Sequence, residues 1–349
     1  MFQYELDCKV MEGMASSTVL NAILVVCDLS SLIATPLLIF LTIRIWKTKL
    51  MHFNTRLLLC LHTVFLLVHV VGRAVLHTMD LYMYHSLFKN GCEILRTKEE
   101  CFFLRLPYNV STVMCSCSAV FIAIERLTAT LHTRNYEKGF KKVGWYLAIL
   151  QILMTTGLLT IIYSQTILDD THLYYCQTTS QYNIKYTLYP YLVLIMLQIA
   201  AIVVFRVSVV KNQRYSSSRT MANSLSSRYQ VEENLWTIRT LSAFVYTVGA
   251  FTAAYLIARS AVIFFNHNFT VPVYYALQEG TNLLCIYALL LPVILWCKKK
   301  DVRNQIKHIV HQNVNTNYNQ VFNVLRSQWD APPENRVPSP KPKARLTCS

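Results

Sequence analysis

Charged residues are scarce in this chain of 349 residues. They make up 15% of the sequence, whereas a typical soluble domain carries about 25%. Hydrophobic residues reach 54%, the mean hydropathy is +0.33, and only eight residues are glycine, which argues against a loop-rich protein. So few charges cannot cover a surface that faces water. The composition therefore predicts an integral membrane protein with most residues in lipid-facing helices.

Several signatures are also missing. The start, MFQYELDCKVMEGM, has no basic n-region, so we expect the first apolar segment to act as the insertion signal. His-Glu-x-x-His, Gly-x-Ser-x-Gly and paired intramembrane aspartates are absent, so no catalytic residue is predicted and we do not expect an enzyme. Cys115-Ser-Cys117 has no further ligands near it, so we expect neither a metal site nor a cofactor.

Seven segments are long and apolar enough to cross a bilayer, which takes about 20 residues of helix. They cover 20–45, 57–78, 102–128, 143–164, 188–207, 241–265 and 273–297. Four prolines fall inside or at the edges of these segments, where packing in a bundle tolerates them. The predicted fold is all-α, a seven-transmembrane helix bundle over residues 20–297. An extracellular N-terminal segment, residues 1–19, is expected to precede it.

The distribution of lysine and arginine predicts the orientation. With the N-terminus outside, the inner side holds 25 of the 33 basic residues and the outer side holds five. This asymmetry favours an outer N-terminus and a cytoplasmic C-terminus. The net charge of +15 is then a signal of topology and of contact with anionic lipid, and no nucleic-acid partner is expected.

After the last span the composition changes twice. Residues 298–312 place apolar side chains on one helical face among basic ones, which predicts an amphipathic juxtamembrane helix on the inner leaflet. Residues 313–349 form a cytoplasmic tail whose final part is rich in proline and charge, so we expect the tail to be disordered.

Four cysteines lie outside the predicted spans: Cys8, Cys92, Cys101 and Cys176. The outside is oxidising, so two disulfides can form, with three pairings on paper. We favour Cys101–Cys176, because Cys101 precedes Arg126 by 25 residues, about 37 Å of helix, and so lies at the outer end of the third span. Cys8–Cys92 would be the remaining pair, and the alternative is that some of these thiols stay reduced.

A glycosylation sequon, Asn268-Phe269-Thr270, lies on the short loop between the sixth and seventh spans. We predict Asn268 as the acceptor. Asn109-Val110-Ser111 also fits the pattern, but it lies inside the third span, so we discount it.

The third span ends in a Glu-Arg pair, Glu125 and Arg126. One interpretation is an anchor, since an arginine at the interface can extend its charge into water. The other is a switch, in which the carboxylate holds the arginine in the inactive state and releases it to a cytoplasmic partner. Position alone does not decide between them.

Several fragments together resemble the nematode serpentine chemoreceptors of the Sra superfamily, with class alpha/beta (Srab) the best match and class alpha or class beta next. The fragments are HFNTRLL, CFFLRLPYN, IERLTAT and LSSRYQVEEN. The resemblance covers the transmembrane region and fades after Val310. It departs from rhodopsin-like receptors, because Leu127 follows Arg126 and the seventh span, NLLCIYALLLP, lacks Asn-Pro-x-x-Tyr.

This resemblance implies a chemosensory G-protein-coupled receptor in the plasma membrane or sensory cilium of a neuron. It implies a small-molecule ligand and a heterotrimeric G protein as partners. Glu125 and Arg126 would then form the switch. The fragment LSSRYQVEEN has a partly apolar helical face and predicts an inward extension of the sixth helix. Arg228 and Tyr229 would contribute to G-protein coupling there, unless the extension is a juxtamembrane helix without a signalling role.

Ionisable residues inside the outer halves of the spans are functional candidates by default. His62, His69, Arg73 and His77 share one face of the second helix. A buried polar network, for example Glu279 with Arg259 or Arg73, is one interpretation. The other is a cavity with surplus positive charge that binds a small acidic ligand. The ligand-binding candidates are Arg73, His77, Arg105, Asn109, Tyr255, Arg259, Tyr275 and Glu279.

A ligand-gated channel or a transporter is the alternative function, because seven spans alone do not define a receptor. The sequence shows no internal repeat of the kind many transporters have, and no selectivity-filter-like loop. These absences favour the receptor.

Overall fold

The computed structural model describes residues 2–48, 51–86, 91–132, 142–166, 171–173, 175–176, 184–217 and 225–298. Beyond its first residue, the predicted juxtamembrane helix 298–312 lies outside the described residues, as does the whole tail 313–349. The helices are α1 Phe2–Ala15, α2 Thr18–Lys47, α3 Phe53–Ser86, α4 Lys98–Leu131, α5 Val143–Tyr163, α6 Ile184–Ser217, α7 Leu225–Phe264, α8 Val271–Gly280 and α9 284–298.

Seven helical segments in the described chain are long and apolar enough to cross a membrane, as predicted. They extend beyond the apolar stretches because polar first and last turns continue the same helices. Thr97, for example, begins α4 with a capping box: its hydroxyl accepts from the Glu100 amide, and the Glu100 carboxylate accepts from the Thr97 amide. Both bonds satisfy amides that the first helical turn leaves free.

Helix α4 occupies the centre of the bundle. In its most apolar window 83% of the residues are buried, against 22–50% in the other six spans. It packs against α3, α5, α6 and α7, and the largest hydrophobic core follows its length. A side chain on α4 therefore faces protein at nearly every position, which suits this helix to carry polar groups through the bundle.

The seventh span, expected as one helix over 273–297, consists of two helices. Helix α8 ends at Gly280, and α9 begins after an interruption at residues 281–283. Asn282 starts the new helix, because its side-chain oxygen accepts from the Leu284 amide at 3.1 Å, the bond an N-cap residue makes. The break leaves carbonyl groups at the end of α8 without partners in the helix.

The end of the bundle that carries α1, Cys92 and Cys101 is called the disulfide end below. The structure joins Cys8 to Cys92 and Cys101 to Cys176, with Cα–Cα distances of 4.6 and 4.8 Å. The second is the pair that we favoured, and the first is the pair that then remained.

Residues 1–19 were expected only as an outer segment, but α1 is an ordered helix that covers this end. Its Met11 and Met14 pack in a second core with residues of α3, α7 and α8. The 3₁₀ turn Gly91–Ile94 lies directly against it. A Cβ at Gly91 would lie 2.1 Å from the Cys8 carbonyl oxygen, so only glycine permits this approach.

Candidate functional site

Three arginines and one glutamate meet inside the bundle near the disulfide end. Arg73 comes from α3, Arg105 from α4, Arg259 from α7 and Glu279 from the last turn of α8. All four side chains are buried, with exposed fractions of 5% or less. This group is called the arginine–glutamate cluster. Burial of an unpaired charge costs free energy, so each of these guanidinium groups should have hydrogen-bond or ion-pair partners.

The Glu279 carboxylate binds two of the three arginines. Arg105 donates to Oε1 at 2.7 Å, and Arg73 donates to Oε2 at 3.3 Å. Of the two partners that the sequence suggested for Glu279, Arg73 forms the ion pair and Arg259 does not. Arg259 donates instead to the carbonyl of Gln278 at 2.7 Å. Within the described chain no carboxylate is paired with Arg259.

The break in the seventh span supplies the remaining acceptors. Arg73 donates to the carbonyls of Glu279 at 2.8 Å and Asn282 at 3.4 Å, while Arg259 takes the Gln278 carbonyl. The carboxyl end of a helix carries roughly half a negative charge. The two guanidinium groups therefore bind carbonyls at the break, where the Asn282 amide also donates to Glu279 and the Thr281 hydroxyl to Gln278, and the helix end offsets part of their charge.

The histidine face of α3 looks into the bundle, as its spacing indicated, and His62, His69, Arg73 and His77 are fully buried. His77 Nε2 accepts from Arg73 Nε at 2.9 Å and lies 3.7 Å from Glu279 Oε2. His69 stacks on Tyr108, with ring centroids 4.7 Å apart. The histidines thus fix the position of the arginine–glutamate cluster from the α3 side.

A cavity opens beside the cluster, between α4, α5, α6 and α7. Four of the eight predicted ligand-binding residues line it: Arg105, Asn109, Tyr255 and Arg259. Its other lining residues are Tyr108, Thr112, Val113, Leu159, Ile162, Tyr163, Tyr191, Leu194 and Leu256. The cavity lining is thus apolar and aromatic with two cationic groups, the usual composition of a small-molecule site, and it encloses a small volume of about 30 Å³.

The other four candidates lie outside this cavity. Arg73, His77 and Glu279 lie on the α3 and α8 side of Arg105 and form the polar network. Tyr275 packs on Tyr175, with ring centroids 4.6 Å apart. Burial, together with the Glu279 carboxylate, raises the pKa of the Tyr175 phenol well above its usual value. A neutral phenol cannot act as a counter-ion for the arginines.

The Glu125–Arg126 pair lies near the opposite end of α4. Both side chains are buried, and Arg126 donates to the carboxylate of its own neighbour, with Nε 2.5 Å from Glu125 Oε2. Thr55 of α3 donates to the same carboxylate, at 3.2 and 3.1 Å from its two oxygens. The carboxylate therefore holds the arginine inside the bundle.

The remaining predicted residues are placed as follows. Arg228 and Tyr229 lie in the first turns of α7, a helix of 40 residues that includes the expected extension; their side chains are outside the described residues. Asn268 is exposed and ends the 3₁₀ turn Asn266–Asn268. Its glycosylation stays a prediction.

Reasoning from the sequence missed three residues of this framework. Tyr108 lies between the cluster and the cavity and accepts a hydrogen bond from the Asn282 side chain. Thr55 binds Glu125 across a separation of 70 residues. A signal existed for Asn282 alone: Gly280 followed by Thr and Asn inside an apolar run is a stop and a new start for a helix.

Comparison with known proteins gives concordant matches. A family model described as "Serpentine type 7TM GPCR receptor class ab chemoreceptor" matches residues 5–330. A relative from Caenorhabditis elegans, "Serpentine receptor class alpha/beta-14", is 24% identical over 272 residues. That match covers 74% of this chain and 67% of the relative.

Proposed function

Because the chain belongs to the class alpha/beta family of serpentine chemoreceptors, we propose that it is a chemosensory G-protein-coupled receptor. It binds a small acidic molecule in the cavity beside the arginine–glutamate cluster. It activates a heterotrimeric G protein from the Glu125–Arg126 end. The disulfide end faces the outside, and the receptor resides in the plasma membrane, in the sensory cilium of a neuron.

One observation carries this proposal: a single buried helix bears charged groups at both ends. Arg105 borders the cavity, and Arg126 follows it by 21 residues, about 30 Å along the helix axis. A ligand that favours one packing of α4 against its neighbours also favours one state of the far end. Differential binding to two packed states is how a receptor converts occupancy into a signal.

On the cytoplasmic face, release of Arg126 from Glu125 makes its guanidinium available to the G protein. Arg228 and Tyr229 on α7 contribute to the same surface. The inner basic residues also contact anionic lipid, which favours this orientation. The glycan on Asn268 would then lie outside the membrane.

The test uses cells that express the intact chain, Arg126→Ala and Arg44→Ala at matched surface levels. Arg44 is an exposed arginine of α2, so its variant controls for loss of a positive charge. G-protein dissociation is recorded without ligand and with a panel of small acidic volatiles, neutral volatiles and nematode extracts. The expected result is a response in the intact chain and in Arg44→Ala that is lost in Arg126→Ala.

Two results would contradict the proposal. An equal response in all three chains would leave Arg126 as a membrane anchor. A ligand-evoked current that needs no G protein would assign the protein to the channels instead.

A further inference from the structure

The arginine–glutamate cluster contains more positive than negative charge. Three guanidinium groups face one carboxylate, and the carboxyl end of α8 adds about half a negative charge. The aromatic neighbours offer no anion, since Tyr175 is neutral. About one and a half positive charges therefore stay unbalanced in a buried site, where an uncompensated charge is costly.

The unbalanced charge faces the cavity. Arg105 Nε and Arg259 Nε are buried and have no hydrogen-bond partner among the described residues. Both residues are at least 95% buried, and both line the same cavity. Buried donors are nearly always satisfied, so two guanidinium groups that each leave Nε without a partner at one cavity point to an acceptor that binds there.

We propose that this cavity binds a small monocarboxylate through Arg259 and Arg105, and that Glu279 is the built-in competitor for Arg105. This inference rests on the proposed function, because it names the ligand class of the site that the receptor would use. Arg105 Nη2 donates to Glu279 at 2.7 Å, while Arg259, among the residues that the structure describes, donates to a backbone carbonyl and to no carboxylate. An arriving carboxylate takes Arg259 first and then shares Arg105 with Glu279. Planar guanidinium groups suit such carboxylate contacts.

The cavity walls define the rest of the ligand. Tyr191 and Tyr255 supply aromatic faces, and Val113, Leu159 and Leu194 supply apolar surface. The enclosed volume is about 30 Å³, room for about one or two water molecules, so an aromatic or branched apolar body enters only when these walls move apart. One carboxylate offsets most of the charge that the cluster leaves unbalanced.

The experiment measures thermal unfolding of the purified full-length chain in phosphatidylcholine nanodiscs, with no G protein present. The probes are phenylacetate, benzoate and isovalerate, each compared with its neutral amide. The variants are Arg259→Gln, Arg259→Lys and Glu279→Gln. Arg96→Gln is the matched control, because Arg96 pairs with Asp80 at 3.3 Å and does not line the cavity.

We expect at least one carboxylate, and none of the amides, to raise the unfolding temperature of the intact chain and of Arg96→Gln. Arg259→Gln should weaken that binding at least tenfold, and Arg259→Lys should retain part of it. Glu279→Gln should bind the carboxylate at least tenfold more tightly, because the internal competitor is gone. If Glu279→Gln does not fold, the comparison of Arg259→Gln with Arg259→Lys decides.

Equal effects of acid and amide, full binding in Arg259→Gln, or unchanged or weaker binding in Glu279→Gln would overturn the inference. So would the absence of any carboxylate response in the intact chain. The two proposals fail separately: carboxylate binding without G-protein turnover in cells contradicts only the receptor function. Turnover evoked by an acidic ligand that is not a carboxylate, without carboxylate binding, contradicts only this inference.

Discussion

Helix α4 carries a buried charged group near each end, and the two groups are built differently. Near the disulfide end three arginines from three helices surround one glutamate, and a cavity lies beside them. Near the other end one arginine pairs with the adjacent glutamate, and a threonine hydroxyl donates a hydrogen bond to the same carboxylate. The first group has an excess of one sign, whereas the second is balanced.

This difference indicates different roles. An anion that binds from outside the protein lowers the free energy of a buried group with excess positive charge. The first group therefore suits ligand binding. A balanced ion pair is not stabilised by binding a further ion, and its charges become available only when the two side chains separate. The second group therefore suits a switch that another part of the molecule opens.

The largest expected effect is a loss of stability that differs between the two charged groups. Glu279→Ala leaves Arg73 and Arg105 without their carboxylate deep in the bundle, and removal of one partner of a buried ion pair costs about 3–5 kcal/mol. Glu125→Ala should cost less, because Arg126 is five residues from the end of α4 and can extend toward the interface. Thermal unfolding of both purified variants checks the order. An equal or larger loss in Glu125→Ala would contradict it.

Removal of the Cys101–Cys176 bond should affect the disulfide end alone. We expect the double serine variant to lose about 2–4 kcal/mol of stability. Hydrogen exchange should increase around α1 and the start of α4, with no change near Glu125. Cys297→Ser serves as the control, since Cys297 is free and exposed. Faster exchange spread evenly over the bundle would show that the two ends are not independent.

A smaller change should loosen the balanced pair. Thr55→Val keeps the shape of the side chain but removes the hydroxyl that donates to Glu125. A hydrogen bond to a charged group contributes about 1.5–3 kcal/mol. We expect a loss near the lower value together with higher basal G-protein turnover. Thr63→Val, also buried on α3 but bonded to Cys60 and Thr42, should leave basal turnover unchanged. Equal turnover in both variants would argue against a switch.

The smallest effect is expected for the polar contact between α2 and α3. Thr78 donates to the Asp28 carboxylate at 3.2 Å on the partly exposed face of these helices. Thr78→Val should therefore cost about 1 kcal/mol or less and leave both carboxylate binding and G-protein turnover unchanged. A large loss in unfolding temperature would show that this contact belongs to the bundle's essential framework.

The number of spans could be predicted because the signal is local: about 20 apolar residues in a row identify each crossing. The buried face of α3 could also be predicted, since His69, Arg73 and His77 repeat at four-residue spacing on one side of a helix. The chemical type of both charged groups followed from the same rule, because ionisable residues rarely occur within membrane helices without a role.

The partners could not be predicted in the same way. Arg259 binds a carbonyl rather than Glu279 because the seventh span breaks and turns that carbonyl toward it. Whether Thr55 reaches Glu125 depends on the depth and rotation of two helices, which no local pattern specifies. The order in α1 was missed because its position depends on contacts with the turn at Gly91 and on a disulfide to Cys92.

The measurement that tests this account most directly compares Arg259→Gln and Arg126→Ala in two assays on the same preparations. One assay measures carboxylate binding in nanodiscs, and the other measures G-protein turnover with the same carboxylate. The account predicts that Arg259→Gln loses both activities, whereas Arg126→Ala binds as the intact chain does and loses turnover. If Arg126→Ala loses binding to the same extent as Arg259→Gln, or if neither variant loses turnover, the assignment of ligand binding and switching to opposite ends of α4 is wrong.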